Sequence, residues 1–195
     1  MNLGEFFGGF GTVDLLIVLY FIGFFVLGFA QGTIRRLLGI GAILFSFLFA
    51  ANLADTLGQF LGDNWTQFPR SYSYMLGFGL IFSASAVALA LIVQSYYRPQ
   101  QLFQKARFAD EIIGGFLGLF QAALFFAAVL VILDSFFRIP GLPVDAQELP
   151  FLREFWGGLD HTQFAGLFRN TIIPLSFVLT GLFIPDNIKL AYPLR

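Results

Sequence analysis

Two carboxylates and three amides are the side chains of this chain whose positions invite a chemical reading. Asp14 opens the first apolar segment and Asp134 closes the fourth. If those ends meet, the two form an outer-face carboxylate pair able to bind a cation or to divide acid and base roles. In the simpler reading each caps or terminates its own helix, and Asp134 pairs with Arg138 four residues on. Gln31, Gln94 and Gln121 lie within or beside apolar segments. They can bond across helices as polar glue, or line a polar path together. Catalysis is poorly provided for. The single histidine, His161, has no partner motif, and no G-x-S-x-G or H-E-x-x-H run is present. Ser46, Ser83 and Ser85 have no base at matching depth and are expected to bond back to helix carbonyls. Catalytic, cofactor-binding and metal sites are therefore all expected to be absent.

The elements that must position these residues are membrane spans. The chain is 57% hydrophobic and 12% charged, with 28 Phe and 21 Gly, and its mean hydropathy is +0.79. These values lie far from globular averages. Charge-free windows run over residues 15–34, 37–54, 71–97 and 112–133, each long enough or nearly so to cross a hydrocarbon core as a helix. The fold class expected is an all-α integral membrane protein. Its four transmembrane helices, at about 13–30, 33–54, 72–97 and 111–137, form two hairpins and are followed by an extracytoplasmic amphipathic helical tail. Residues 1–12 read as a flexible lead without the positive charge of a signal peptide. Residues 139–195 read as a proline-framed linker and interfacial helices.

Arg35, Arg36, Arg98, Lys105 and Arg107 fall on one side of this layout, which makes that side cytoplasmic and both termini extracytoplasmic. Tyr72, Tyr74, Tyr96 and Tyr97 sit where headgroup anchors belong. Gly28 with Gly32, and Gly114 with Gly118, have the four-residue spacing that lets helices approach closely; a hinge is the alternative use. The same spacing at Gly58 and Gly62 falls in an expected loop. Gly28 to Gly32 also echoes Gly118 to Ala122, as a repeated hairpin would. In the tail, Phe151, Leu152, Phe155, Trp156 and Leu159 recur at helical spacing. A second helix is expected from Asp160 as cap, interrupted at Pro174. Leu175 to Ile184 is too short to span, so it is expected at the interface or on the outer ends of the bundle, with a broken fifth span over 170–185 as the lesser alternative.

The absence of cysteine excludes disulfides and thiolate chemistry, and a net charge of -1 excludes a nucleic-acid footprint. Asp14, the run Gln31-Gly-Thr-Ile-Arg-Arg36, and Asp110 through Gly114 and Gly118 to Phe136 together resemble the colicin V production (CvpA) family over about residues 13–138. The resemblance implies a bacterial inner-membrane protein associated with colicin V production or export, a toxin-biosynthesis role, and with envelope homeostasis. It implies no reaction. Gln31 and Gln121 stand where the family pattern commonly has arginine, and Arg36 where it frequently has an acidic residue. The expected function is a non-enzymatic accessory or scaffold protein partnered by the lipid bilayer and by a membrane protein or a second copy. The alternative is a transporter or channel component with a polar path near Gln31, Gln94 and Gln121.

Overall fold

The computed structural model describes residues 11–96, 107–138 and 148–180, together with Ile184, Ile188 and Tyr192. Residues 1–10 of the N-terminal lead, Tyr97, Arg98, Lys105 and the linker prolines Pro140 and Pro143 lie outside the described residues, while Thr12, expected in the lead, already belongs to the first helix. Every regular element among the described residues is helical. Helices α1 (Thr12–Gln31), α2 (Thr33–Asn64), α3 (Arg70–Tyr96) and α4 (Arg107–Phe137) are long and apolar enough to cross a membrane. They make this a multi-pass membrane protein.

The connections run antiparallel from helix to helix, but the closest packing does not follow chain order. Helix α2 packs along α3, and α1 along α4, while α1 and α2 barely touch although only Gly32 separates them. Helix α4 consequently lies between α1 and α2 and is the most buried of the four. Glycines set the two main interfaces. A methyl group on Gly28 would collide with the Gly114 carbonyl, and one on Gly118 with the Phe24 carbonyl, so α1 and α4 meet backbone to backbone.

The second interface corrects the expectation of a loop at Gly58 and Gly62. Helix α2 continues through Asp55 to Asn64 because Ala51, Ala54 and Gly58 carry one buried stripe onward, while Asp55 and Asp63 face outward. A Cβ at Gly58 would stand 2.8 Å from Tyr74 Cα, and one at Gly77 would stand 3.0 Å from Gly58 N. Gly58 is thus a packing position. The echo between Gly28–Gly32 and Gly118–Ala122 is not a repeat of equivalent hairpins. The first stretch ends α1 and enters the turn, whereas the second lies in the middle of α4, and the two glycines face each other.

The tail comprises α5 (Pro150–Asp160), α6 (Gln163–Leu167), a π-helical turn (Phe168–Ile172) and α7 (Ile173–Thr180). Pro174 does not interrupt it. Proline has no N–H and its ring crowds the carbonyl four residues earlier; the widened turn just ahead, in which Ile173 N–H donates to Phe168 O, absorbs that conflict. Nor does α7 rest on the bundle's end. Ile173, Ser176 and Phe177 share a small cavity of about 50 Å³ with Ile43 and Phe47 of α2 and Leu124 and Ala127 of α4. The tail therefore lies alongside α2 and α4 at the level of Ile43 and Leu124.

Candidate functional site

Polar side chains gather at both ends of the bundle. At the carboxylate end Asp14 is 2% exposed and Asp134 1% exposed. Asp14 Oδ2 accepts the Gly11 N–H that begins α1, and its Oδ1 accepts the Gln163 N–H that begins α6, each at 3.0 Å. One carboxylate thereby accepts from the orphan N–H donors at two helix starts. Thr162, not Asp160, is the side-chain cap of α6, accepting from Ala165 N at 3.1 Å.

Asp134 is occupied by four donors. Trp156 Nε1 at 2.8 Å and Arg169 Nη2 at 2.6 Å reach Oδ1. Arg169 Nε at 2.7 Å and Tyr192 Oη at 2.6 Å reach Oδ2. The guanidinium meets the carboxylate as a two-pronged pair, and Arg169 Nη1 goes on to Asp160 at 2.5 Å. The expected partner, Arg138, lies instead over the Tyr192 ring, 5.4 Å from its centroid. Asp14 and Asp134 do serve one end of the molecule, but as separate ties to the tail. Tyr72 is a third tie. It is fully buried and accepts Leu149 N–H at 3.0 Å, so it is no headgroup anchor. Tyr96, 84% exposed, is free to act as one.

Arg169, Tyr192 and the Trp156 indole N–H are the residues that sequence reasoning missed. The available signal was Arg169 itself, a lone cation in an apolar stretch and hence in need of a buried anion.

At the arginine end, Gly32 is the hinge of the chain path. Its φ of 74° and ψ of 175° are glycine-only backbone, and a Cβ there would lie 2.7 Å from Asp110 Oδ2. Thr33 Oγ1 donates to the Asp110 carbonyl at 3.1 Å, fixing the start of α2 against α4. Arg36 then turns inward. Only 5% exposed, it sits 5.8 Å from the Phe24 ring centroid and donates from Nη1 to Gln121 Oε1 at 2.8 Å. Gly39 makes room for that amide, since a Cβ there would lie 2.7 Å from Gln121 Nε2. Positions 36 and 121, two of the departures from the family pattern, are thus in direct contact.

Gln31, Arg35, Arg36, Gln94 and Gln121 all line one open cleft of about 350 Å³, walled on its apolar side by residues such as Phe24, Val87, Ala90 and Phe125. The structure brings together the three glutamines chosen from sequence and adds the two arginines. Of the expected turn and packing residues, Gly28, Gly32, Gly114 and Gly118 lie at the α1–α4 contact beside this cleft. Among the described residues no cluster of three or more His, Cys, Asp or Glu is placed to hold a metal ion.

Comparison with known proteins gives a family match. The family described as colicin V production protein matches residues 13–157. No curated protein and no solved structure matches the chain. The matched stretch takes in α1 to α4 and most of α5, including Asp14, the Gly32 turn, both arginines, Gln121, Asp134 and Trp156. On this match, with the four apolar helices it covers, the chain belongs to the colicin V production protein family.

Proposed function

We propose that this protein is a non-enzymatic accessory or scaffold protein of the bacterial inner membrane, acting in colicin V production or export and in envelope homeostasis. One observation carries the reading. The buried carboxylates Asp14 and Asp134 have their hydrogen-bonding capacity taken up by the tail and the helix starts, so they act as fasteners and not as a free pair. Arg35, Arg36 and Arg107 sit at one end of the bundle, which supports a reading with that end in the cytoplasm and the Asp134 end, with the tail, on the opposite side. The outward apolar surface is available to lipid and to a membrane partner or second copy. Purification in mild detergent is expected to recover a stoichiometric membrane partner or a homo-oligomer. A solitary monomer in cells that carry out the function normally would refute the scaffold reading.

The cleft favours a second reading, as part of a transporter or channel. Its polar lining suits a solute, but Phe78, Phe82, Phe126 and Leu130 fill the core between it and the carboxylate end. A conduit would therefore need a partner's wall. Water-soluble thiol reagents applied to single cysteines at Gln31, Gln94 and Gln121 separate the readings by the side from which each is reached.

A further inference from the structure

The cleft at the arginine end carries two positive charges and no carboxylate. Arg35 and Arg36 are its charged lining residues, and Asp110 of α4, whose carboxylate faces Gly32, is not part of the lining. Among the described residues Arg35 makes no hydrogen bond or ion pair. Arg36, although 95% buried by its 5% exposure, leaves its Nε without a partner. Burying an arginine donor unsatisfied is costly, and placing two cations in the first turn of α2 adds to the helix's own positive end. Both costs are relieved by the same event, an anion entering the cleft. Gln31, Gln94 and Gln121 bring amide N–H donors to the same space.

The shape of the lining narrows the ligand. Arginines and glutamines occupy one part, while Val87, Ala90 and Val93 of α3 and Phe125 of α4 form an apolar wall that runs toward the middle of the spans. A small inorganic anion has no use for that wall. An acyl chain does.

We propose that this cleft binds a phosphate-bearing anion, and that its apolar wall fits it to a glycerophospholipid, with the phosphate on Arg35 and Arg36 and an acyl chain along α3. The inference is independent of whether the protein acts as scaffold or conduit. Native mass spectrometry of the full chain in non-ionic detergent tests it, with dioctanoyl phosphatidylglycerol, dioctanoyl phosphatidylcholine and inorganic phosphate as probes. Retention of the glycerol lipid is expected to exceed that of the choline lipid by about tenfold or more, as two near-surface arginines allow. That preference is expected to fall severalfold in Arg35→Gln and to vanish in Arg36→Gln. Arg35→Gln keeps the test valid should Arg36→Gln misfold, because Arg35 holds no described contact in place. Ala90→Trp, which fills the apolar wall, is expected to reduce lipid retention while leaving phosphate competition intact. Arginine-dependent binding of inorganic phosphate without retention of phosphatidylglycerol supports the anion site and assigns it to free phosphate. Equal retention of the two lipids with no phosphate binding, or a preference unchanged in both arginine variants, overturns the proposal.

Discussion

Single residues carry the ties between the tail and the bundle, and the strongest is Arg169 on Asp134. Both are buried, at 8% and 1% exposure, so removing either leaves an uncompensated charge. Arg169→Met is expected to cost about 3–5 kcal/mol in thermal or denaturant unfolding in detergent, and adding Asp134→Leu to recover only part of that loss, because Trp156 Nε1 and Tyr192 Oη then lose their acceptor. Tyr192 reports on the same cluster through pH. Burial, and then the adjacent Asp134 carboxylate, push its phenol above the ordinary range. The unfolded chain gives up this proton first, so the contribution is intact below about pH 10 and is lost as pH rises beyond it. Unfolding midpoints are expected to fall above that pH, and less steeply in Tyr192→Phe. At the other end, Gly32→Ala is expected to destabilise by about 1–3 kcal/mol, since its backbone angles are closed to other residues. Asp14 and Asp134 were legible as end-of-span carboxylates from their position beside apolar runs. Their partners were not, because Gln163 and Arg169 approach through the fold from far along the chain, whereas Arg138 offers only sequence proximity.

At the scale of elements, glycine spacing decides which helices touch. Gly118→Val is expected to cost about 1–3 kcal/mol or more by forcing α1 off α4, because the clash is with backbone that cannot rotate away. Gly58→Leu is expected to act similarly on α2 and α3. Gly41→Leu, with open space around it, serves as the neutral comparison, and helical circular dichroism with unfolding midpoints distinguishes the three. The spans were readable from charge-free windows, since burial in lipid excludes charge from their middles. The length of α2 was not, because a charge ends a hydrophobic window without ending a helix, and Asp55 simply faces outward. Pro174 misled for a related reason. A proline breaks a regular helix, but a π-helical turn restores the path, and the sequence has no separate mark for that turn.

At the scale of the whole molecule, α4 joins everything. It pairs with α1 through glycines, with α2 through Thr33 and Arg36, and with the tail through Asp134. The chain order of two hairpins is visible in the sequence, but the exchange of packing partners is not, because it depends on which small-residue faces meet across the bundle. The result is a body locked at the Asp134 end and open at the Arg35 end, which suits a scaffold with a one-sided cleft better than a conduit. The absence of native cysteine permits the most direct test of that claim. Single cysteines at Gln31, Gln94 and Gln121 would be exposed to a membrane-impermeant maleimide, with Thr66→Cys between α2 and α3 as the opposite-side control. The three are expected to be labelled in inverted inner-membrane vesicles and protected in intact spheroplasts, where Thr66→Cys is labelled. Labelling of Gln31, Gln94 or Gln121 positions in spheroplasts would contradict that claim.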